Sequence, residues 1–427
     1  MVRIRVLRTG EAGFEKEFST IISRREEVKG SVEKKVRAII RAVREQGDRA
    51  LFRFMRMYDR IILDTRTVAV APEEIEDAYY KLSNDQLNAL LSAARRIEKF
   101  HKNQLKRFVV KEREREEVAT ELIRPLRRVG LYIPGGKAAY PSSVLMSAIP
   151  ARVAAVGEVV MVSPNASSQV LAAARIAGVN SIYRIGGAQA IAALTYGTES
   201  IPRVDKIVGP GNRYVETAKR LVYGEVGLDM VAGPSEILII ADKSGKPAFI
   251  AADLLAQAEH DEEACCMLIT LDSSFPGKVK AEVLRQLKTL PRREIAVHSI
   301  NRRCVMMVAH DIKEAVELAE RIAPEHLELM VSSPEKVLPM ISCAGAVFLG
   351  NYSPVTVGDY LAGPSHILPT AGTARFFSPL GVDDFMRRMS VISYSREALR
   401  SVSSEVKLLA HMEGLDGHAQ AVRKREH

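Results

Sequence analysis

Between residues 31 and 108 apolar side chains return at the period of a helix. Val32, Val36, Ile39, Ile40 and Val43 fall on one face, and Gly47 and Pro72 punctuate the stretch. From Arg127 the pattern changes to short unbroken apolar runs that end in glycine or proline and lead into helical stretches. These are Val129–Ile133, Glu158–Val162, Ser181–Ile185, Asp205–Val208, Glu236–Ala241, Cys266–Thr270 and Ala344–Leu349. Continuous rather than alternating apolar runs belong to parallel strands covered on both faces, so an α/β protein of successive βα units is expected. Residues 371–427 show no convincing strand. Ser395–Val406 and Leu408–Leu415 predict a helical tail, which packs on its own domain or embraces a neighbour.

Length adds that one core is too few: 427 residues exceed the roughly 250–300 at which single cores stop growing. The net charge of +9 lies entirely within residues 1–128, where bases and acids are interleaved, as in Arg24-Arg25-Glu26-Glu27 and Lys111–Glu117. A solvated helical face accounts for this better than a nucleic-acid interface, which stays as the alternative of another class and predicts steeply salt-dependent binding. The four cysteines (Cys265, Cys266, Cys304, Cys343) have no zinc-ribbon or CxxC spacing, and no secretory segment precedes them, so a reducing, cytoplasmic compartment is expected. No apolar run approaches the ~20 residues that span a bilayer.

Strand ends carry Gly135-Gly136, Gly186-Gly187, Gly209-Pro210-Gly211 and Gly233-Pro234, which suit a phosphate-bearing cofactor or simply tight βα turns. The dinucleotide fingerprint is incomplete, because Tyr214 stands where its third glycine belongs. Gln257 and His260 are three apart, a spacing that brings both to one metal ion if Leu254–Cys265 is helical; a solvated helix end is the plainer alternative. Glu325-His326 sits between a helix ending near Ile322 and an apolar strand Leu327–Val331, where a carboxylate and an imidazole can act as acid and base or form a surface turn. Asp359 and His366 follow a strand, in the kind of loop where sites are built. Glu413-Gly-Leu-Asp-Gly-His418 in the tail reads by itself as a helix cap region.

From Val129 onward the chain closely resembles histidinol dehydrogenases. The segments that carry the resemblance are VGLYIPGG (129–136), YPSSVLM (140–146), IGGAQAIAALTYGTESIPRVDKIVGPGN (185–212), AGPSE (232–236), DLLAQAEHD (253–261), APEHLE (323–328), GAVFLGNYSP (345–354), VGDYLAGPSHILPT (357–370) and EGLDGH (413–418). Residues 1–128 resemble the family mainly in length and helical character.

The resemblance implies a zinc-dependent oxidation of L-histidinol through the aldehyde to L-histidine with two NAD, the final steps of histidine biosynthesis. It implies one zinc ion per subunit held by Gln257, His260, Asp359 and His418, and acid–base catalysis by Glu325 and His326. Ser235, His366 and Glu413 match substrate-binding positions, together with Gln257, His260, His326, Asp359 and His418; Tyr132, Gln189 and Asn212 match positions contacting NAD. The implied fold has two incomplete Rossmann-like domains in an intertwined homodimer whose tail completes the partner's site. On this chain they become residues 129–236, rich in glycine, and 237–370, with the metal and acid–base residues. A helical segment 1–128 packs with the first, and the dimer-forming helical tail is 371–427. A same-family dehydrogenase of another alcohol, such as dihydroxypropane sulfonate, is the alternative; His366 and Glu413 argue for histidinol, since a carboxylate suits an imidazole N–H and repels a sulfonate.

Overall fold

Among the described residues, eleven of thirteen strands collect into two parallel sheets, as the continuous apolar runs require. The computed structural model describes residues 2–23, 30–106, 119–135 and 139–426; the charge runs 24–27 and 111–117 and Gly136 lie outside them. The first sheet contains β3 (Arg128–Tyr132), β4 (Glu158–Val162), β5 (Ser181–Tyr183), β6 (Lys206–Val208) and β7 (Gly227–Leu228), in the order β5-β4-β3-β6-β7. The second contains β1 (Arg5–Arg8), β8 (Glu236–Ala241), β9 (Cys265–Thr270), β10 (Cys304–Val308), β11 (His326–Met330) and β12 (Ala346–Leu349), in the order β1-β10-β9-β8-β11-β12. Counted from β3 and from β8, both sheets run third, second, first, fourth, fifth. Every side chain of β8, β9 and β11 is buried, because helices cover both faces.

The N-terminal residues are less uniformly helical than expected. Arg5–Arg8 forms β1 and pairs with β10 in the second sheet, in register Arg5 to Val305. Helix Gly30–Phe54 buries the expected face, Val32, Val36, Ile39, Ile40 and Val43, in one core with helices Gly187–Tyr196 and Arg213–Val222. Gly47 kinks it at φ 53°, and the next peptide N–H, of Asp48, is taken by Glu199 Oε2 at 2.8 Å. Pro72 opens the helix Pro72–Tyr80, where its missing N–H costs nothing.

The chain divides into two units, Met1–Leu105 with Leu126–Phe385, and Lys106–Pro125 with Met386–His427. The tail therefore begins near 386 rather than 371: Val382 and Phe385 are fully buried in the first unit, and Asp384 accepts from Lys206 Nζ at 2.8 Å. The second unit also contradicts the strandless reading of 371–427. Its β13 (Met386–Ile392) pairs antiparallel with β2 (Ala119–Pro125), followed by helices Arg396–Met412 and Asp416–Arg423. A two-stranded ribbon without a buried face has no need of an apolar run, so neither strand announces itself in the sequence.

Glycine is required outright at the turn after β6. Gly209, just after β6, has φ 108°, and a Cβ there would lie 2.3 Å from the carbonyl oxygen of Tyr132, a backbone atom that cannot yield. Gly209→Ala should lower stability by about 3 kcal/mol or more. A shift of the urea midpoint measures this, and an unchanged midpoint would show that the turn has another conformation available.

Candidate active site

Glu325 and His326 occupy the junction between helix Ile312–Ile322 and β11, and both are buried, which removes the surface-turn alternative. The imidazole Nδ1 lies 2.8 Å from the carbonyl oxygen of Glu236, the first residue of the neighbouring β8. A carbonyl only accepts, so Nδ1 carries the proton of the neutral ring and Nε2 keeps the lone pair. That Nε2 is buried without a hydrogen-bond partner among the described residues. Burial, with His260 and His366 nearby, lowers the His326 pKa to about 4, so the ring is neutral at pH 7. Glu325 accepts the Glu236 N–H through Oε2 at 2.7 Å, and burial raises its carboxyl well above the ordinary range.

His260, His366 and Asp359 surround this pair. The charged form of His326 is disfavoured by His260 and His366, that of His366 by His260, and that of Glu325 by Asp359. His366 donates from Nδ1 to the Asp359 carbonyl oxygen at 2.9 Å, and its Nε2 lies 3.2 Å from Ser143 Oγ; burial lowers its pKa to about 4. Asp359, on the helix Val355–Tyr360, is raised to about 6 by burial alone.

The helix that carries Gln257 is shorter than expected: it spans Pro247–Ala258, so His260 lies past its end. A turn replaces the helical spacing, with the His260 N–H donating to the Gln257 carbonyl at 3.2 Å. Gln257 is buried with its Nε2 unpartnered among the described residues, whereas His260 is exposed although surrounding protein lowers its pKa. These donors suit a borderline cation: an imidazole, a carboxylate and an amide oxygen, with the amide held by no competing bond at Nε2. No group of three His, Cys, Asp or Glu converges among the described residues. Glu413 and His418 are exposed in the second unit, Glu413 capping helix Arg396–Met412 and His418 within Asp416–Arg423.

The glycine turns sit at the other kind of strand end. The turns at Gly135, Gly186 and Gly209 follow β3, β5 and β6 at their carboxyl ends, while Ser235-Glu236 and Glu325-His326 stand at the amino ends of β8 and β11. Tyr132 is buried, and so is Gln189 in the first turn of helix Gly187–Tyr196: the Tyr132 hydroxyl accepts the Gly187 N–H at 3.1 Å, and Gln189 donates to Asp59 Oδ2 at 3.0 Å. Burial pushes the Tyr132 phenol up to about 12. Asn212 is exposed and caps helix Arg213–Val222, its Oδ1 accepting from Tyr214 and Val215.

Residue-by-residue reading missed three contributors. Glu236 holds both Glu325 and His326, through its backbone N–H and carbonyl. Glu328 accepts the Val355 N–H at 3.1 Å, at the start of the helix that bears Asp359, and it lies beside Asp253, one helical turn before Gln257; burial raises both carboxyls. Ser143 reaches His366 from helix Pro141–Val153. The signal available was an acid inside an otherwise apolar strand, as in His-Leu-Glu-Leu-Met of β11.

The family model for histidinol dehydrogenase matches residues 22–426. The chain is 50% identical over 424 residues to a histidinol dehydrogenase of Geobacter sulfurreducens, covering 98% of this chain and 99% of that one. It is 47% identical over 425 residues to that of Aquifex aeolicus, covering all of both. The crystal structure of histidinol dehydrogenase from Elizabethkingia anophelis superposes with a TM-score of 0.91 at 33% identity, covering 100% of this chain and 98% of that one.

Proposed function

Since the chain belongs to the histidinol dehydrogenase family, we propose that it oxidises L-histidinol through L-histidinal to L-histidine with two NAD and one zinc ion per subunit. It is an oxidoreductase of histidine biosynthesis. The observation that carries the mechanistic reading is the His326 ring, with Nδ1 fixed by the Glu236 carbonyl and Nε2 left as a buried lone pair.

Zinc, when bound by Gln257, His260, Asp359 and His418, supplies coordination positions for the substrate's nitrogens and so orients its alcohol carbon. Tyr132, Gln189 and Asn212 would hold NAD, which would supply the hydride acceptor. His326 Nε2 accepts the hydroxyl proton as the hydride departs, and the Glu236 carbonyl keeps its bond to Nδ1 as the ring becomes positive. In the second oxidation Glu325 takes a proton from the water that hydrates the aldehyde; a carboxyl whose pKa burial has raised is the stronger base once ionised. Ser235, His366 and Glu413 contact the substrate, Glu413 through the imidazole N–H.

The common strand order of the two sheets supports two Rossmann-like halves, residues 129–236 and 237–370. Exposed Leu408, Leu409, Met412 and Leu415 on the second unit support a homodimer in which Glu413 and His418 serve the partner's site. None of the four cysteines is in a disulfide and no described helix is long and apolar enough to cross a membrane, which fits a cytoplasmic enzyme.

Purified protein should form two NADH per L-histidinol, and a chelator should abolish turnover until zinc is restored. Full activity in metal-free protein would overturn the zinc assignment, and one NADH per substrate the second oxidation.

A further inference from the structure

Lys219, on helix Arg213–Val222, is completely buried, a costly place for an ammonium unless it is paired. Its Nζ lies 2.8 Å from Asp229 Oδ1 and 3.8 Å from Glu216 Oε2, and donates to the Gly209 carbonyl at 3.1 Å. The two carboxylates in turn accept four backbone N–H groups: Asp229 those of Gly209 and Met230, each at 2.7 Å, and Glu216 those of Gly211 at 2.9 Å and Ala232 at 2.8 Å. Both polar groups of Gly209 are therefore claimed by the triad.

Two consequences follow. The glycine N–H groups that a dinucleotide loop would offer to a pyrophosphate already point inward, at carboxylates, so this loop has no anion cradle at Gly209 and Gly211. The same three side chains also tie the 209–211 turn to residues 230–232, and that segment runs on to Ser235 and to Glu236, whose backbone N–H and carbonyl hold Glu325 and His326. Gly233 continues the path by donating to Thr370 Oγ1 at 2.5 Å.

We propose that Lys219, Asp229 and Glu216 form a positioning triad for NAD, holding the 209–212 loop so that the cofactor is gripped at its Asn212 edge rather than by glycine N–H groups. The proposal rests on the reading that Asn212 contacts NAD. A merely structural triad would change stability and both substrates' KM together, whereas a positioning triad changes the KM for NAD selectively.

The test compares Glu216→Gln with Asn212→Ala for KM of NAD, KM of L-histidinol, zinc content and thermal midpoint. Glu216→Gln leaves one of two half-buried N–H groups without its acceptor, which lowers the thermal midpoint modestly, and the KM for NAD should rise about tenfold while the KM of L-histidinol and the zinc content hold. Should Glu216→Gln fail to fold, Glu216→Asp keeps the charge but cannot span both amides, and the same selective rise is expected. If Asn212→Ala weakens NAD and the Glu216 variants do not, the triad proposal falls and the Asn212 reading stands. If only the Glu216 variants weaken NAD, Asn212 loses its contact and the proposal, which routes the grip through the Asn212 edge, falls with it. No NAD effect from either, or a joint loss of both KM values and stability from Glu216→Gln, overturns the proposal.

Discussion

His326→Asn should slow both oxidation steps by roughly 10³-fold, whereas Glu325→Gln should slow the oxidation of added histidinal far more than that of histidinol. Two hydrogen bonds set these roles apart. The Glu236 carbonyl assigns the proton of His326 to Nδ1, leaving Nε2 as the basic atom, and Asn at 326 has no basic nitrogen to replace it. Each oxidation requires a proton to leave an oxygen, so both steps suffer. Glu325 is fixed by the Glu236 N–H and raised well above the ordinary carboxylate range by burial; its proposed task, activating water, belongs to the second step alone. The ionised form is the active one, so the histidinal step should accelerate as pH rises through the raised pKa of Glu325, and Glu325→Gln should flatten that rise. Single-turnover rates with each substrate across pH measure both effects. Equal losses in the two steps for Glu325→Gln would remove its assigned role, and a nearly active His326→Asn would move the base elsewhere.

Mixing inactive His260→Asn protein with inactive His418→Asn protein should restore activity once subunits exchange. His260 lies in the first unit near His326 and His366, while His418 is exposed on a helix of the second unit. If each tail serves the partner's site, one site of every mixed dimer has both ligands intact and the other carries both defects. Equal mixing then gives about a quarter of wild-type activity, since half the dimers are mixed. Exchange is verified by mass and activity by NADH formation. An exchanged mixture that stays inactive would place His418 in its own subunit's site.

Much of this was legible in residue order because its physical cause is local. A strand buried on both faces must be apolar throughout, so β4 and β8 were found with their observed ends, and the 32–43 face of the first long helix announced its own burial. Candidate chemistry was legible for the same reason: Glu325-His326 and Gln257-x-x-His260 are short patterns, and nine such segments in order point to one family.

What the sequence did not determine depends on partners distant along the chain. β1 exists because β10, some 300 residues later, offers it an edge, and β2 and β13 exist only for each other. The helix at 247–258 stops short of His260, so a turn rather than a helical face brings His260 beside Gln257. The His326 tautomer, the neutral state of its ring and the raised carboxyl of Glu325 come from the Glu236 carbonyl and from burial, which no local pattern of residues encodes. The inward aim of the Gly209 and Gly211 N–H groups is likewise set by Asp229 and Glu216. Local sequence determines which surfaces must leave water; proton positions and backbone aim are decided only where distant segments meet and must satisfy one another's buried polar groups.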